Sequence, residues 1–258
     1  MDMDLRQSFK IPLLSFLVFV SSICEAKPVS IAFTFSMSPY LNDDMKSGIE
    51  RDIIFEAMNA SDMVLGEVHN VHYKRAMKML EQGRIDAIVS NMANRAYDEL
   101  ARKSYPSNKT IAYVDCAITF VKQDYKLTSV QDYADKSIWA FKTAKTTLGA
   151  EFELMANNNP HYTENTDQLM QADMLALGRI DVAISDRNIF TSELRRDDQY
   201  QTQDFEFQAI GEPTPRTLRF SNKEHLESFN AGLAKIKENG DYAKILMRYK
   251  GHYVSSCY

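Results

Sequence analysis

The sequence predicts an α/β protein built from two lobes of similar design. Three observations point there. Short β-branched apolar runs alternate with amphipathic stretches, the pattern of βαβ units around a parallel sheet. That alternation runs through two successive series along the chain. Each series also carries the same junction: Gly83-Arg84-Ile85-Asp86-Ala87-Ile88 in the first, Gly178-Arg179-Ile180-Asp181-Val182-Ala183 in the second. In both, a glycine ends a helix and an apolar strand begins.

The elements follow in order. Val29 to Phe35 alternates as a strand does, and a loop with Ser38-Pro39-Tyr40 and Asn42-Asp43-Asp44 follows. Gly48 to Ala60 reads as a helix with Ile53, Ile54 and Met58 on one side. Met63 to Val71 is a second strand. Tyr73, Ala76, Met77 and Leu80 recur at helical spacing, and Gly83, tolerant of positive φ, stops that helix. Ile85 to Val89 is a third strand. In the second series Ile138 to Phe141 is a strand, Thr147 to Met155 a helix and Tyr162-Thr163 a weak strand. Met170, Met174 and Leu177 mark the next helix, Gly178 ends it, and Asp181 to Ser185 is again a strand. Ile111 to Lys122 and Phe205 to Phe220 are the segments expected to link the two series. Leu226, Phe229, Leu233 and Ile236, then Tyr242, Ile245, Leu246 and Tyr249, form two helical stripes separated by Asn239-Gly240. This tail is expected to pack back on the first lobe.

Composition limits the function classes. The chain has 258 residues, 45% of them apolar, enough for one large core or two modest ones. A net charge of −5 without any Lys/Arg cluster argues against nucleic acid as a partner. Arg6 and Lys10 precede an apolar run from Ile11 to Ile23 that ends in Cys24-Glu25-Ala26. A basic flank, a short apolar core and a small residue before the cut describe a signal peptide, residues 1–26, cleaved after Ala26. The expected location is the periplasm. Cleavage leaves Cys116 and Cys257, and an oxidising compartment permits a disulfide between them. A buried Cys116 with a free tail thiol is the alternative.

The order and spacing of several short motifs resemble the bacterial type 2 periplasmic solute-binding proteins, in the amino-acid-binding branch (family 3) associated with ABC importers. Pro39-Tyr40 followed by Gly48-Ile49-Glu50-Arg51-Asp52 is similar to that family's opening. Leu80 to Ile88 and Ala176 to Asp186 resemble its two helix–strand junctions, and Ser129-Val130-Gln131-Asp132 with Lys136 the start of its second lobe. Phe229-Asn230, Asn239-Gly240 and Ile245 to Tyr249 resemble its C-terminal helices. The resemblance implies two α/β lobes joined by two crossing strands, with the ligand between them. Lobe one would be residues 27–112 plus 213–258, and lobe two 113–212.

Candidate ligand residues follow from the resemblance and from chemistry. Arg95 resembles the arginine that clamps a ligand carboxylate, a task suited to a guanidinium's parallel donors; Arg102 competes for the role. Asp186, at the end of an apolar strand, resembles the acceptor of an α-ammonium group, and strand C-termini face the crevice in open α/β sheets. As a residue just after a strand, it is also a natural helix cap. Thr146 and Thr147 precede a helix whose free N–H groups would favour an anion, with plain N-capping as the bland reading. Ser90 and Asn91 follow the first junction strand and offer hydrogen bonds. Met37 stands where the family often places an aromatic cover, and Tyr40 is either a cover or a packed rim residue.

These groups suit a zwitterion such as an amino acid. The expected protein is a binder, not an enzyme, with no cofactor and no metal. G-x-S-x-G, H-E-x-x-H, Walker A and Rossmann fingerprints are absent from the sequence. His69 and His72 lack a completing ligand set and read as structural. The rival class is a dehydratase on the same fold, for which Glu50, Glu67 and Asp115 are unranked acids. A third reading is a ligand-sensing module acting through a separate membrane receptor. Expected partners are a small-molecule ligand and an ABC permease or sensor receptor, with the chain a monomer.

Overall fold

The computed structural model describes residues 28–34, 36–91, 104–197 and 199–257. The expected signal peptide, Arg95 and Arg102 lie outside these residues.

Two sheets divide the chain. The first contains β1 (Val29–Thr34), β2 (Leu65–Val71), β3 (Ala87–Asn91), β4 (Tyr105–Pro106), β5 (Ala112–Tyr113) and a late strand, β11 (Thr214–Phe220). Its order is β2-β1-β3-β11-β4, with β5 pairing the start of β11. β1 runs parallel to β2 and β3, while β11 returns antiparallel to β3. The second sheet contains β6 (Asp115–Phe120), β7 (Ile138–Phe141), β8 (Tyr162–Asn165), β9 (Val182–Asp186) and β10 (Phe205–Ala209), in the order β10-β6-β9-β7-β8. β7, β8 and β9 are parallel.

The inner strands β3, β6 and β9 are buried on both faces, which explains why they read as apolar runs, while the outer strands β2, β8 and β10 keep exposed positions. In β1, Ile31 and Phe33 face the main core while Ala32 faces a second layer. The main core packs α1 (Ile49–Asn59), α7 (Lys223–Glu238) and α8 (Asp241–Arg248) on one face, through Ile53, Ile54, Phe229, Leu233, Ile236 and Ile245. α2 (Tyr73–Glu81) covers the other face with Ala76, Met77 and Leu80. The tail helices thus pack on the first lobe. The second sheet has α4 (Ala150–Asn158) on one face and α5 (Gln171–Ala176) with α6 (Arg187–Asp197) on the other, preceded by a one-turn helix α3 (Ala144–Thr147).

Three expectations change. The run Ile111 to Lys122 is not one strand: it breaks at Val114, whose N–H leaves the ladder to bond Asp186, and ends in a 3-10 turn at Val121–Gln123. Thr147 to Met155 is not one helix, because Gly149 at φ 95 separates α3 from α4. The stripe expected on α5 is out of phase. Met170 and Leu177 are exposed, and the buried positions are Gln171 and Leu175. Gln171 Nε2 donates to the carbonyls of Trp139 and Ile184, so a polar residue holds the inner position.

The chain crosses between sheets after Tyr113 and again between Ala209 and Thr214. A third connection comes from the tail. Cys257 is disulfide-bonded to Cys116, with Cα atoms 6.0 Å apart, and it packs in the second lobe's core. The C-terminal end therefore leaves the first lobe and fastens to the second.

Candidate functional site

A cavity of about 370 Å³ lies between the two sheets. Five strand ends point at it. Thr34 ends β1, His72 follows β2, Phe141 ends β7, Thr166 follows β8 and Asp186 ends β9, and all five line the cavity. In parallel α/β sheets the C-terminal strand edge is where the backbone ends and loops diverge, leaving a crevice. Here two such edges face one another.

The charged groups in the wall come from the crossing strands and their neighbours. Arg216 on β11 is 1% exposed and lines the cavity. Its Nε and Nη2 donate to the Glu50 carboxylate at 2.9–3.3 Å, and Nη2 also donates to Ser36 Oγ at 2.8 Å. Glu50, 0% exposed, comes from the first turn of α1. The Arg216 guanidinium carbon lies over the Tyr113 ring, 4.3 Å from its centroid. Burial by itself would lower the Arg216 pKa, but the charge and hydrogen bonds of Glu50 together with the neighbouring Tyr113 and Tyr40 outweigh it and hold the pKa above its ordinary value. Arg216 Nη1 has no hydrogen-bond partner among the described residues.

Two carboxyls face the same space. Asp115 on β6 and Asp186 on β9 are directly paired in the antiparallel ladder, and both line the cavity. Asp186 accepts from Val114 N at 2.6 Å, Tyr40 OH at 2.9 Å and Ile189 N at 2.9 Å. Burial raises its pKa to about 6 against these lowering bonds. Asp115 accepts from Thr214 Oγ1 at 3.1 Å through Oδ2. Burial and then the neighbouring Asp186 charge push its pKa up to about 7.

The expected site residues are spread among wall, support and surface. Met37 and Asp186 line the cavity. Met37 meets Gln168 across it, Sδ to Nε2 4.0 Å. Tyr40 is fully buried behind the wall, where its hydroxyl donates to Asp186 and accepts from Asn188 Nδ2 at 2.9 Å. It acts as a brace between the first-lobe loop and the second lobe, not as a cover over the cavity. Ser90 is buried on β3 opposite Thr217, and Asn91 ends that strand. Thr146 is exposed and its hydroxyl bonds back to the Thr143 carbonyl; the Thr147 hydroxyl is buried without a partner among the described residues. Neither threonine lines the cavity. Both lie inside α3 and not ahead of it, and the N–H groups at the start of α3 are filled by the protein itself: Glu164 on β8 accepts from Thr143 N and Lys145 N, both at 2.9 Å. Thr143 lines the cavity in their place.

Sequence reading missed Arg216 and passed over Asp115 as a ligand contact. The signal was a charge inside an apolar strand in each case: Thr214-Pro215-Arg216-Thr217-Leu218 and Val114-Asp115-Cys116-Ala117-Ile118. Among the acids weighed for catalysis, Glu50 is committed to Arg216 and Glu67 is exposed on β2; Asp115 alone of the three lines the cavity. No group of His, Cys, Asp and Glu among the described residues is arranged to hold a metal ion.

Comparison with known proteins places this geometry in context. A family model described as bacterial extracellular solute-binding proteins, family 3, matches residues 34–252. No curated protein matches the chain. Among solved structures, an ABC uptake transporter substrate-binding protein from Streptococcus pneumoniae with bound histidine aligns at TM-score 0.67 and 17% identity, covering 87% of this chain and 92% of that one. The arginine-, lysine-, histidine-binding protein ArtJ from Geobacillus stearothermophilus aligns at TM-score 0.64 and 17% identity, covering 87% and 96%. A histidine kinase sensor domain with similarity to periplasmic binding proteins aligns at TM-score 0.69 and 12% identity, covering 87% and 96%. At these identities the likeness is one of fold.

Proposed function

Because the chain belongs to the bacterial extracellular solute-binding proteins of family 3, we propose that it binds a small zwitterion of the amino-acid type in the cleft and delivers it to an ABC importer. The observation that carries this reading is the convergence of strand ends from both sheets on one cavity whose wall holds a buried guanidinium and two carboxyls. About 370 Å³ is near the lower end of small-molecule sites and suits a single metabolite. Arg95, with Arg102 as its competitor, remains the proposed carboxylate clamp. We place the mature protein in the periplasm as a monomer, beginning at Lys27 after removal of residues 1–26. No helix among the described residues is long and apolar enough to cross a membrane.

The test is a thermal-shift screen of the twenty L-amino acids on the mature chain. A true ligand at a hundred times its dissociation constant stabilises the folded state by about 2.7 kcal/mol. A panel that produces no shift overturns the reading. One observation favours a second reading, a dehydratase on this fold: the buried Asp115 carboxyl, raised to about 7, could serve as a general acid. Turnover of prephenate would establish that enzyme; stabilisation by an amino acid without turnover would exclude it.

A further inference from the structure

We infer that Asp115, and not Asp186, receives the ammonium group of the bound solute, while Asp186 holds the two lobes in register. This inference rests on the amino-acid reading of the cleft. The argument is one of hydrogen-bond capacity. Asp186 is at the strand end where an ammonium acceptor is expected, but its oxygens already take three donors from the protein. Those donors come from both sides of the cleft. Tyr40 belongs to the loop after β1, Val114 to the crossing segment and Ile189 to α6. The Tyr40 hydroxyl is in turn held by Asn188, whose side chain pairs with the backbone of Val254 in the tail through both its amide atoms. Three of the roughly four lone-pair sites of the Asp186 carboxylate are filled, so an ammonium group there would find one acceptor site at most, beside the Ile189 N–H on Oδ1.

Asp115 lines the same cavity with its carboxyl far less occupied. It is 8% exposed, lines the cavity, and has only the Thr214 hydroxyl as donor among the described residues. Its Oδ1 has no hydrogen-bond partner among those residues. A buried carboxylate with an open acceptor is costly unless a cation or proton satisfies it. Arg216 in the wall is already neutralised by Glu50, but its Nη1 has no hydrogen-bond partner among the described residues. Among the described residues, the cavity thus offers one unfilled acceptor on β6 and one unfilled donor on β11. A molecule bearing a primary ammonium near a carboxylate, or near another acceptor of a guanidinium hydrogen bond, complements both. Solutes with a carboxylate and no amine satisfy the Arg216 side and leave Asp115 unpaired.

The experiment compares L-amino acids with their des-amino counterparts on three proteins: the wild type, Asp115→Asn and Asp186→Asn. The probes are L-histidine, L-arginine, L-glutamine and L-glutamate, each beside the acid lacking its α-amino group, with affinities measured by titration calorimetry. Any further amino acid that stabilises the wild type in the screen joins them. Truncating one member of a buried charged hydrogen-bonded pair weakens binding by about 30-fold or more. Asp115→Asn should weaken the bound amino acid by that factor and leave its des-amino acid within about threefold. Asp186→Asn should lower the melting temperature of the unliganded protein, while Asp115→Asn does not. A structural role for Asp115 would not produce the split between amine and des-amino probes. Amino-acid affinity unchanged in Asp115→Asn, with the loss appearing in Asp186→Asn, overturns the inference alone. Absence of amino-acid binding by the wild type overturns the functional reading and the inference with it.

Discussion

Glu50 and Arg216 show how a buried charge can look ordinary in sequence. Glu50 sits among helix-start acids and Arg216 between threonines, and 166 residues separate them. Each is unstable in the interior without the other, because desolvation of a lone charge exceeds what packing returns. Glu50→Ala should therefore destabilise the protein by about 3–5 kcal/mol in urea unfolding, and Arg216→Ala by a similar amount. The double variant should lose less than the sum, and strict additivity would show that the pair is not coupled. The two aspartates predict a pH effect. The carboxyl pKa values of Asp115 and Asp186, about 7 and about 6, lie above their ordinary value of 3.8. The folded chain then binds more protons than the unfolded chain between about pH 4 and 7, so stability falls as pH rises through that window. Asp186 on β9 is the charged group acting on Asp115, and Tyr40 and Tyr253 face Asp186. Thr214 adds a neutral hydrogen bond, and the adjacent Cys116–Cys257 disulfide does not titrate. Asp115→Asn should flatten the decline, measured as the unfolding midpoint against pH. An unchanged slope would refute the assignment.

At the scale of elements, the strongest constraint is the close approach of α7 to α1. A Cβ built on Gly232 would lie 1.9 Å from the Ala57 carbonyl oxygen, so the helices meet backbone to backbone. Gly232→Ala should lower stability by about 1–3 kcal/mol through forced displacement, read by thermal or urea unfolding. A helix-propensity argument alone predicts the opposite sign, since alanine is the better helix former. Helices with long apolar stripes were legible: α2, α7 and α8 turn the residues their spacing indicates toward the core, fully buried at Ala76, Phe229, Leu233, Ile236 and Ile245 and partly at Tyr73, Leu226, Tyr242, Leu246 and Tyr249. α5 was misphased because six residues give less than two turns, too few for periodicity to fix a face. No signal in the sequence marks the start of α3, because Glu164, which fills its free N–H groups, arrives from a strand some twenty residues later.

Across the whole molecule, the two lobes are tied by more than the crossing strands. Ser192 bonds Ser38 at 2.9 Å, Arg196 meets Asp43 at 3.3 Å, and Arg187 donates to the carbonyl of Cys257. Arg196 and Asp43 are exposed at this rim, so their pair adds little. The disulfide is of another kind, closing a sequence separation of 141 residues. Replacing Cys116 and Cys257 with serine should cost about 2–5 kcal/mol, most of it through the freer unfolded chain. Protein beginning at Lys27 should show no reactive thiol when denatured without reductant. Two thiols would remove the staple. Solution scattering with and without a stabilising amino acid reads the closure directly; an identical radius of gyration in the two states would mean that the lobes do not move on binding.

Local pattern along the chain was enough for the α/β class, the two strand–helix series, the matched Gly83 and Gly178 stops and the packing of the tail helices. These depend on interactions between residues a few positions apart, and periodicity records them. Tertiary structure alone decided which charges meet. The pairing of Asp115 with Asp186, the enclosure of Arg216 by Glu50, the capture of the α3 start by Glu164 and the recruitment of Tyr40 as a brace all join distant segments. A side chain's burial and partner follow from where its strand or helix lands, and chain order alone does not encode that position.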